Sequence, residues 1–145
     1  MLSQDFKEFL KLLDKHKVEY LVVGGYAVAF HGHPRYTKDI DIWINHDEGN
    51  AGQLIKVLVE FGFASLGLKT TDFTEPGNII QLGYPPSRID LLTSVSGLKF
   101  NEAFERKITH NLGGTNINFI CLDDLKTNKK ETGRHQDMAD LENLE

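Results

Sequence analysis

The stretch VVGGYAVAFHGHPRYTKDIDIWI, running from Val22 to Ile44, decides how this chain reads. Its last six residues, Asp39-Ile40-Asp41-Ile42-Trp43-Ile44, alternate strictly, and alternation marks a strand with two unlike faces. Asp39, Asp41 and Trp43 fall on one face, and Ile40, Ile42 and Ile44 on the other. Two carboxylates spaced by one pleat stand about 7 Å apart at their Cα atoms. That spacing lets both reach one cation, or bridge two cations roughly 4 Å apart. Without a cation the pair is a repulsive arrangement on a half-buried strand.

An Asp-x-Asp by itself is common, and an exposed strand face explains most of them. The surroundings argue for more. Upstream, the β-branched and aromatic run Val18 to Val23 reads as a buried strand ended by Gly24-Gly25, and Tyr26 to His31 as a short helix opening from the turn. Downstream, Asp90 sits within a second apolar strand, Arg88-Ile89-Asp90-Leu91-Leu92. Three acidic side chains on two apolar strands suit a divalent metal site, since hard cations such as Mg²⁺ take oxygen ligands. The competing reading for Asp90 is a salt bridge with Arg88, two residues away on the same strand face.

The rest of the chain fills in a mixed α+β domain. Ser3 and Asp5 open an amphipathic helix over residues 4–16, with Phe6, Phe9, Leu10 and Leu13 on one face. Asp47 caps another, in which Ala51, Leu54, Leu58 and Phe61 form a stripe closed by Gly62. Residues 78–82 and 88–93 read as two strands joined by GYPPS, residues 99–107 as a helix, and residues 116–120 as a short strand. From Leu122 the chain is helical, with a break near Gly133. The total is about five strands flanked by about five helices, in one domain over residues 1–145.

The 145 residues are enough for a hydrophobic core, and 40% hydrophobic with 26% charged residues is a soluble, globular composition. No segment has the roughly 20 uninterrupted apolar residues of a membrane helix. A charged N-terminus without a signal-peptide pattern and a single cysteine, Cys121, point to the cytoplasm. A net charge of −5 argues against strong non-specific nucleic-acid binding, which needs massed Lys and Arg.

On these residues the chain resembles the nucleotidyltransferase superfamily: a glycine turn, a hydrophobic-flanked Asp-x-Asp, then a single later Asp on a strand. It is especially similar to small bacterial members of the minimal nucleotidyltransferase and AbiEii-toxin-like type. Those share the Gly-Gly turn, an Arg-x-Thr before the acidic pair (here Arg35 and Thr37), and a Gly-Arg-x-x-Asp-x-x-Asp-Leu element. In this chain that element is Gly133-Arg134-His135-Gln136-Asp137-Met138-Ala139-Asp140-Leu141. The resemblance spans residues 18–141.

It implies a nucleotidyltransferase fold and transfer of a nucleoside monophosphate from an NTP, ATP foremost, to a hydroxyl on a protein, a tRNA or a small molecule. A toxin–antitoxin setting is part of the implication. Asp39, Asp41 and Asp90 would hold Mg²⁺ or Mn²⁺, with Asp90 also taking the proton of the acceptor hydroxyl. Gly24, Gly25, Arg35, Thr37, Lys38 and Arg134 would attend the nucleotide. Many members carry Ser where this chain has Gly25, so phosphate contacts would fall to backbone N–H groups.

Each role has a plainer rival. Arg35 reads equally as a solvent-exposed loop residue, and Arg134 as a partner of Asp137 at i+3. Among the basic residues Lys126, Lys129, Lys130 and Arg134, Lys129 and Lys130 read as a solvated helix face. Trp43 reads as pocket lining or as core. His31 and His33 form a weak zinc signal, and His31 reads as structural. Two further functions compete with the transferase: a catalytically silent partner-binding module of the same fold, and a metal-dependent phosphohydrolase.

Overall fold

The computed structural model describes residues 2–33, 37–84 and 87–144. Six strands form one mixed sheet: β1 (Tyr20–Val23), β2 (Asp39–Ile44), β3 (Ile79–Leu82), β4 (Arg88–Leu92), β5 (Ile108–Leu112) and β6 (Thr115–Phe119). Their order across the sheet is β3-β4-β2-β1-β6-β5. The helices are α1 (Gln4–Lys15), α2 (Gly24–Phe30), α3 (Glu48–Glu60), α4 (Phe100–Glu105), α5 (Leu122–Thr132) and α6 (His135–Leu144).

The alternation of β2 splits the interior into two layers. Ile40, Ile42 and Ile44 join Phe6, Phe9 and Leu10 of α1 and Leu54 and Val57 of α3 in one core. Leu21, Val23 and Trp43 join Phe100 of α4, Leu125 of α5 and Leu144 of α6 in the other. A one-residue slip of β2 would exchange carboxylates for isoleucines in the first core, so its register is strongly specified. Both long caps read from sequence are present: Ser3 Oγ accepts from Phe6 N–H, and Asp47 Oδ1 accepts from Asn50 N–H.

The fold is the mixed sheet flanked by helices that the sequence implies, with one strand more than counted. The missed strand is β5, which pairs antiparallel with β6 through Gly113-Gly114. Both glycines have positive φ (60° and 89°), as a two-residue hairpin turn requires. Lys99–Lys107 was too long a helix reading; α4 ends at Glu105, and Ile108 already belongs to the strand. Residues 64–73, which carry no helical or strand period, contain two 3₁₀ turns that bring Phe73 into the first core.

Trp43 takes the core alternative. It is buried, and meets Phe100 edge-on with ring centroids 5.2 Å apart. Its indole N–H has no partner among the described residues.

Candidate active site

Parallel pairing of β2 with β4 is what gathers the carboxylates. The register sets Asp39 opposite Arg88 and Asp41 opposite Asp90. Adjacent strands lie about 4.8 Å apart, so Asp41 and Asp90 stand side by side on the same face. One carboxylate oxygen from each of Asp39, Asp41 and Asp90 lies within 4.8 Å of the others. Among the described residues no other group of three His, Cys, Asp or Glu side chains gathers this way.

On the other side of Asp41 the register with β1 brings Val23 alongside, and the chain turns there into α2. Gly24 has φ +66°, and a Cβ built on it would lie 2.1 Å from Asp41 Oδ2. Glycine at this position therefore satisfies the left-handed backbone and leaves the space that the Asp41 carboxylate fills.

The electrostatics follow from burial and crowding. Burial, the neighbouring charges of Asp39 and Asp90 and a hydrogen bond shared with Asp90 push the Asp41 carboxyl up to about 7. The positive charge of Lys129 works against that rise. Asp90 is also raised, first by burial, with Arg88 opposing. Arg88 lies across two of the three carboxylates: Nε donates to Asp90 Oδ1 at 3.0 Å, and Nη2 donates to Asp90 Oδ2 at 3.1 Å and also to Asp39 Oδ2. The salt bridge that competed with the functional reading of Asp90 is thus real, and it reaches Asp39 as well. Thr37 Oγ1 donates to the Asp39 carbonyl at 3.0 Å, steadying the start of β2.

The C-terminal element closes the site from the other side. Gly133 ends α5 in the left-handed conformation and lets α6 fold back along it. Asp137 and Asp140, three apart and hence on one face of α6, are both buried and both hold Lys129 Nζ at 3.0 Å. Arg134 Nε donates to Asp137 Oδ2 at 2.6 Å, as does Thr132 Oγ1. Burial favours the neutral form of Asp137, yet hydrogen bonds from Arg134, Thr132 and Lys129 outweigh it and hold the carboxyl well below its ordinary range.

A cleft of about 870 Å³ unites these parts. Gly24, Gly25, Thr37, Asp39, Asp41, Asp90 and Arg134, all anticipated from sequence, line it. Lys38 is exposed and is not among the lining residues. Arg35 lies outside the described residues. Lys129, read from sequence as a solvated helix face, is 4% exposed and lines the cleft instead. The overlooked signal is its position four residues after the buried Leu125, on the inward face of α5. His31 is structural as expected, its Nε2 lying 2.8 Å from the Ile120 carbonyl oxygen.

The carboxylate set fits a hard divalent cation. Its donors are oxygens, they converge, and the half-buried Asp41 has two further carboxylates, Asp39 and Asp90, as direct neighbours.

The chain belongs to the family described as "Nucleotidyltransferase of unknown function (DUF6036)", which matches residues 1–145. Similar folds occur in TM1012 of Thermotoga maritima, itself assigned rather than demonstrated as a nucleotidyltransferase (15% identity, 95% of this chain and 88% of that one, TM-score 0.61). They occur also in the lincosamide antibiotic adenylyltransferase LnuA, solved with lincomycin bound (14% identity, 99% and 96%, TM-score 0.59). A third is an antigenic nucleotidyltransferase-like protein of Paracoccidioides brasiliensis (16% identity, 99% and 77%, TM-score 0.55). At these identities the likeness is one of fold. No curated protein matches the chain. No helix among the described residues is long and apolar enough to cross a membrane.

Proposed function

We propose that this protein transfers a nucleoside monophosphate from an NTP, ATP being the first candidate, to a hydroxyl acceptor. The observation that carries the reading is the convergence of Asp39, Asp41 and Asp90 to within 4.8 Å, in a cleft where Gly24 contributes no side chain.

Asp39, Asp41 and Asp90 hold Mg²⁺ or Mn²⁺ in this reading. A divalent cation held by these residues would supply charge neutralisation for the triphosphate and the departing pyrophosphate. Lys129 and Arg134 line the same cleft; Lys129 is held between Asp137 and Asp140, whereas the largely exposed Arg134 can turn from Asp137 to a phosphate. The Gly24-Gly25 backbone supports phosphate approach, because neither residue presents a side chain to the cleft. Asp90 accepts the proton of the attacking hydroxyl. For Asp90 to act so, Arg88 must release it, and the incoming phosphates are the natural new partner for a guanidinium.

The single free cysteine, Cys121, supports a reducing, cytoplasmic setting. The toxin–antitoxin setting rests on the resemblance of residues 18–141 alone.

Titration calorimetry at millimolar ligand tests the reading. Mg²⁺ together with an NTP binds the wild-type protein, and Asp39→Asn or Asp41→Asn removes that binding. A folded wild-type protein that binds neither Mg²⁺ nor any NTP overturns it.

A further inference from the structure

The cleft is larger than the charged part of it. On the sheet face, one pleat beyond Asp41 and Asp90, the register sets Trp43, Leu92 and Ile79 in line. Trp43 is sealed in the core, whereas Leu92 is half-buried and Ile79 is 60% exposed, and both line the cleft. Gln81, opposite Asp90 in the same register, stands at the junction between this apolar ledge and the carboxylates. Ser94 and Val95 continue the wall beyond Leu92. Helix α5 forms the far side, where Asn128 Nδ2 donates to the Ser96 carbonyl and Glu131 packs over Gly97, so closely that a Cβ there would lie 2.5 Å from Glu131 Cγ.

The charges of the cleft are unevenly distributed. Its basic lining residues are Arg88, Lys129 and Arg134, and each is paired with carboxylates of the catalytic end. Among the described residues lining the ledge there is no Lys or Arg, and the one charge there is Glu131. A polynucleotide acceptor draws its affinity from Lys and Arg on its phosphates. This end of the cleft offers the opposite sign. Its volume, about 870 Å³ for both ends together, suits a nucleotide plus one further small molecule.

Resting on the transferase reading above, we infer that the ledge of Ile79, Leu92 and Val95 binds the acceptor, and that the acceptor is a small hydroxyl compound without negative charge that lays an apolar face on it. Such a molecule lies one pleat from Asp90. Its hydroxyl oxygen forms the new bond to the α-phosphorus, and its proton passes to the Asp90 carboxylate. The bond from the α-phosphorus to the bridging oxygen breaks, and pyrophosphate leaves with the electron pair.

The test offers the full-length protein MgCl₂ and the four NTPs labelled at the α-phosphate. Three acceptor pools from a cell extract are compared: the small-molecule filtrate, deproteinised RNA, and total protein. The label is expected in the filtrate. Ile79→Asp should cut that transfer by about tenfold or more while nucleotide binding by calorimetry stays within about twofold of wild type. Ile79→Thr, which keeps the β-branch suited to an edge strand, provides an intermediate loss should the aspartate disturb β3. Label in RNA or protein, label in no pool, or transfer unchanged in both Ile79 variants overturns the inference while leaving nucleotide binding standing. Failure of the wild-type protein to bind any NTP overturns instead the transferase reading on which the inference rests.

Discussion

Gly24 and Asp41 occupy each other's space: a Cβ on the glycine would sit 2.1 Å from the Asp41 carboxylate oxygen, at a backbone φ of +66°. The two requirements are independent, and only glycine meets both. Gly24→Ala is therefore expected to displace the carboxylate as well as strain the turn. Loss of about 1–2 kcal/mol in urea unfolding follows from the backbone conformation. The sharper readout is Mg²⁺ affinity, which should fall with the displaced Asp41 even in a folded variant.

Arg88 bridges Asp39 and Asp90, donating to both carboxylates, and so competes with any cation for the same oxygens. Arg88→Met should lower the stability of metal-free protein at pH 8, because the guanidinium no longer offsets the repulsion between Asp39 and Asp90, and only modestly, because it is partly exposed. Mg²⁺ should then raise the Tm of the variant by more than it raises that of wild type. An equal shift in both proteins would mean that arginine and cation do not compete.

The carboxyl of Asp41 is pushed up from its model-compound range of 3.8 to about 7. A raised acid stabilises the fold where it is protonated in both states. Its contribution is thus full below about pH 4 and is lost as pH rises through about 7. Cation binding demands the ionised form, so Mg²⁺ should expel nearly one proton at about pH 6 and little above about pH 8. Calorimetric titrations in two buffers of different ionisation enthalpy measure that number directly. Proton release independent of pH over this range would contradict the environment described for Asp41.

Lys129 is buried between Asp137 and Asp140 and contributes to the potential at Asp41. Lys129→Met should destabilise the protein by about 3 kcal/mol, because it removes the cation shared by two buried carboxylates, leaving Asp137 with Arg134 and Thr132 and Asp140 with Gln136. Combining it with Asp137→Asn and Asp140→Asn should restore part of that stability without restoring nucleotide transfer. Asp137 has the opposite pH signature to Asp41. Its depressed carboxyl stabilises the fold at neutral pH, and that contribution disappears as acid protonates it below the ordinary carboxylate range.

The site was legible where its chemistry follows the period of a strand. The alternation of DIDIWI fixes which side chains share a face, and the apolar flanks of Asp90 do the same for β4. What sequence could not supply was the parallel pairing of those two strands, since it joins residues 49 positions apart and no local signal encodes it. For the same reason Arg88 was seen beside Asp90 and not across to Asp39. Lys129 looks solvated by residue type, and only its place on the α5 face, four residues from Leu125, signals that it is buried. The Gly113-Gly114 turn is a local hairpin signal, but Ile108–Leu112 is an edge strand whose side chains are mostly exposed, so it lacks the buried alternation that reveals a strand.

The most direct measurement of the central claim is release of pyrophosphate coupled to transfer of an α-labelled nucleoside monophosphate, with and without Mg²⁺. The account predicts Mg²⁺-dependent, stoichiometric release and transfer by wild type, reduced by at least about a hundredfold in Asp41→Asn. Release of inorganic phosphate in place of pyrophosphate, or transfer that survives Asp41→Asn undiminished, would contradict it.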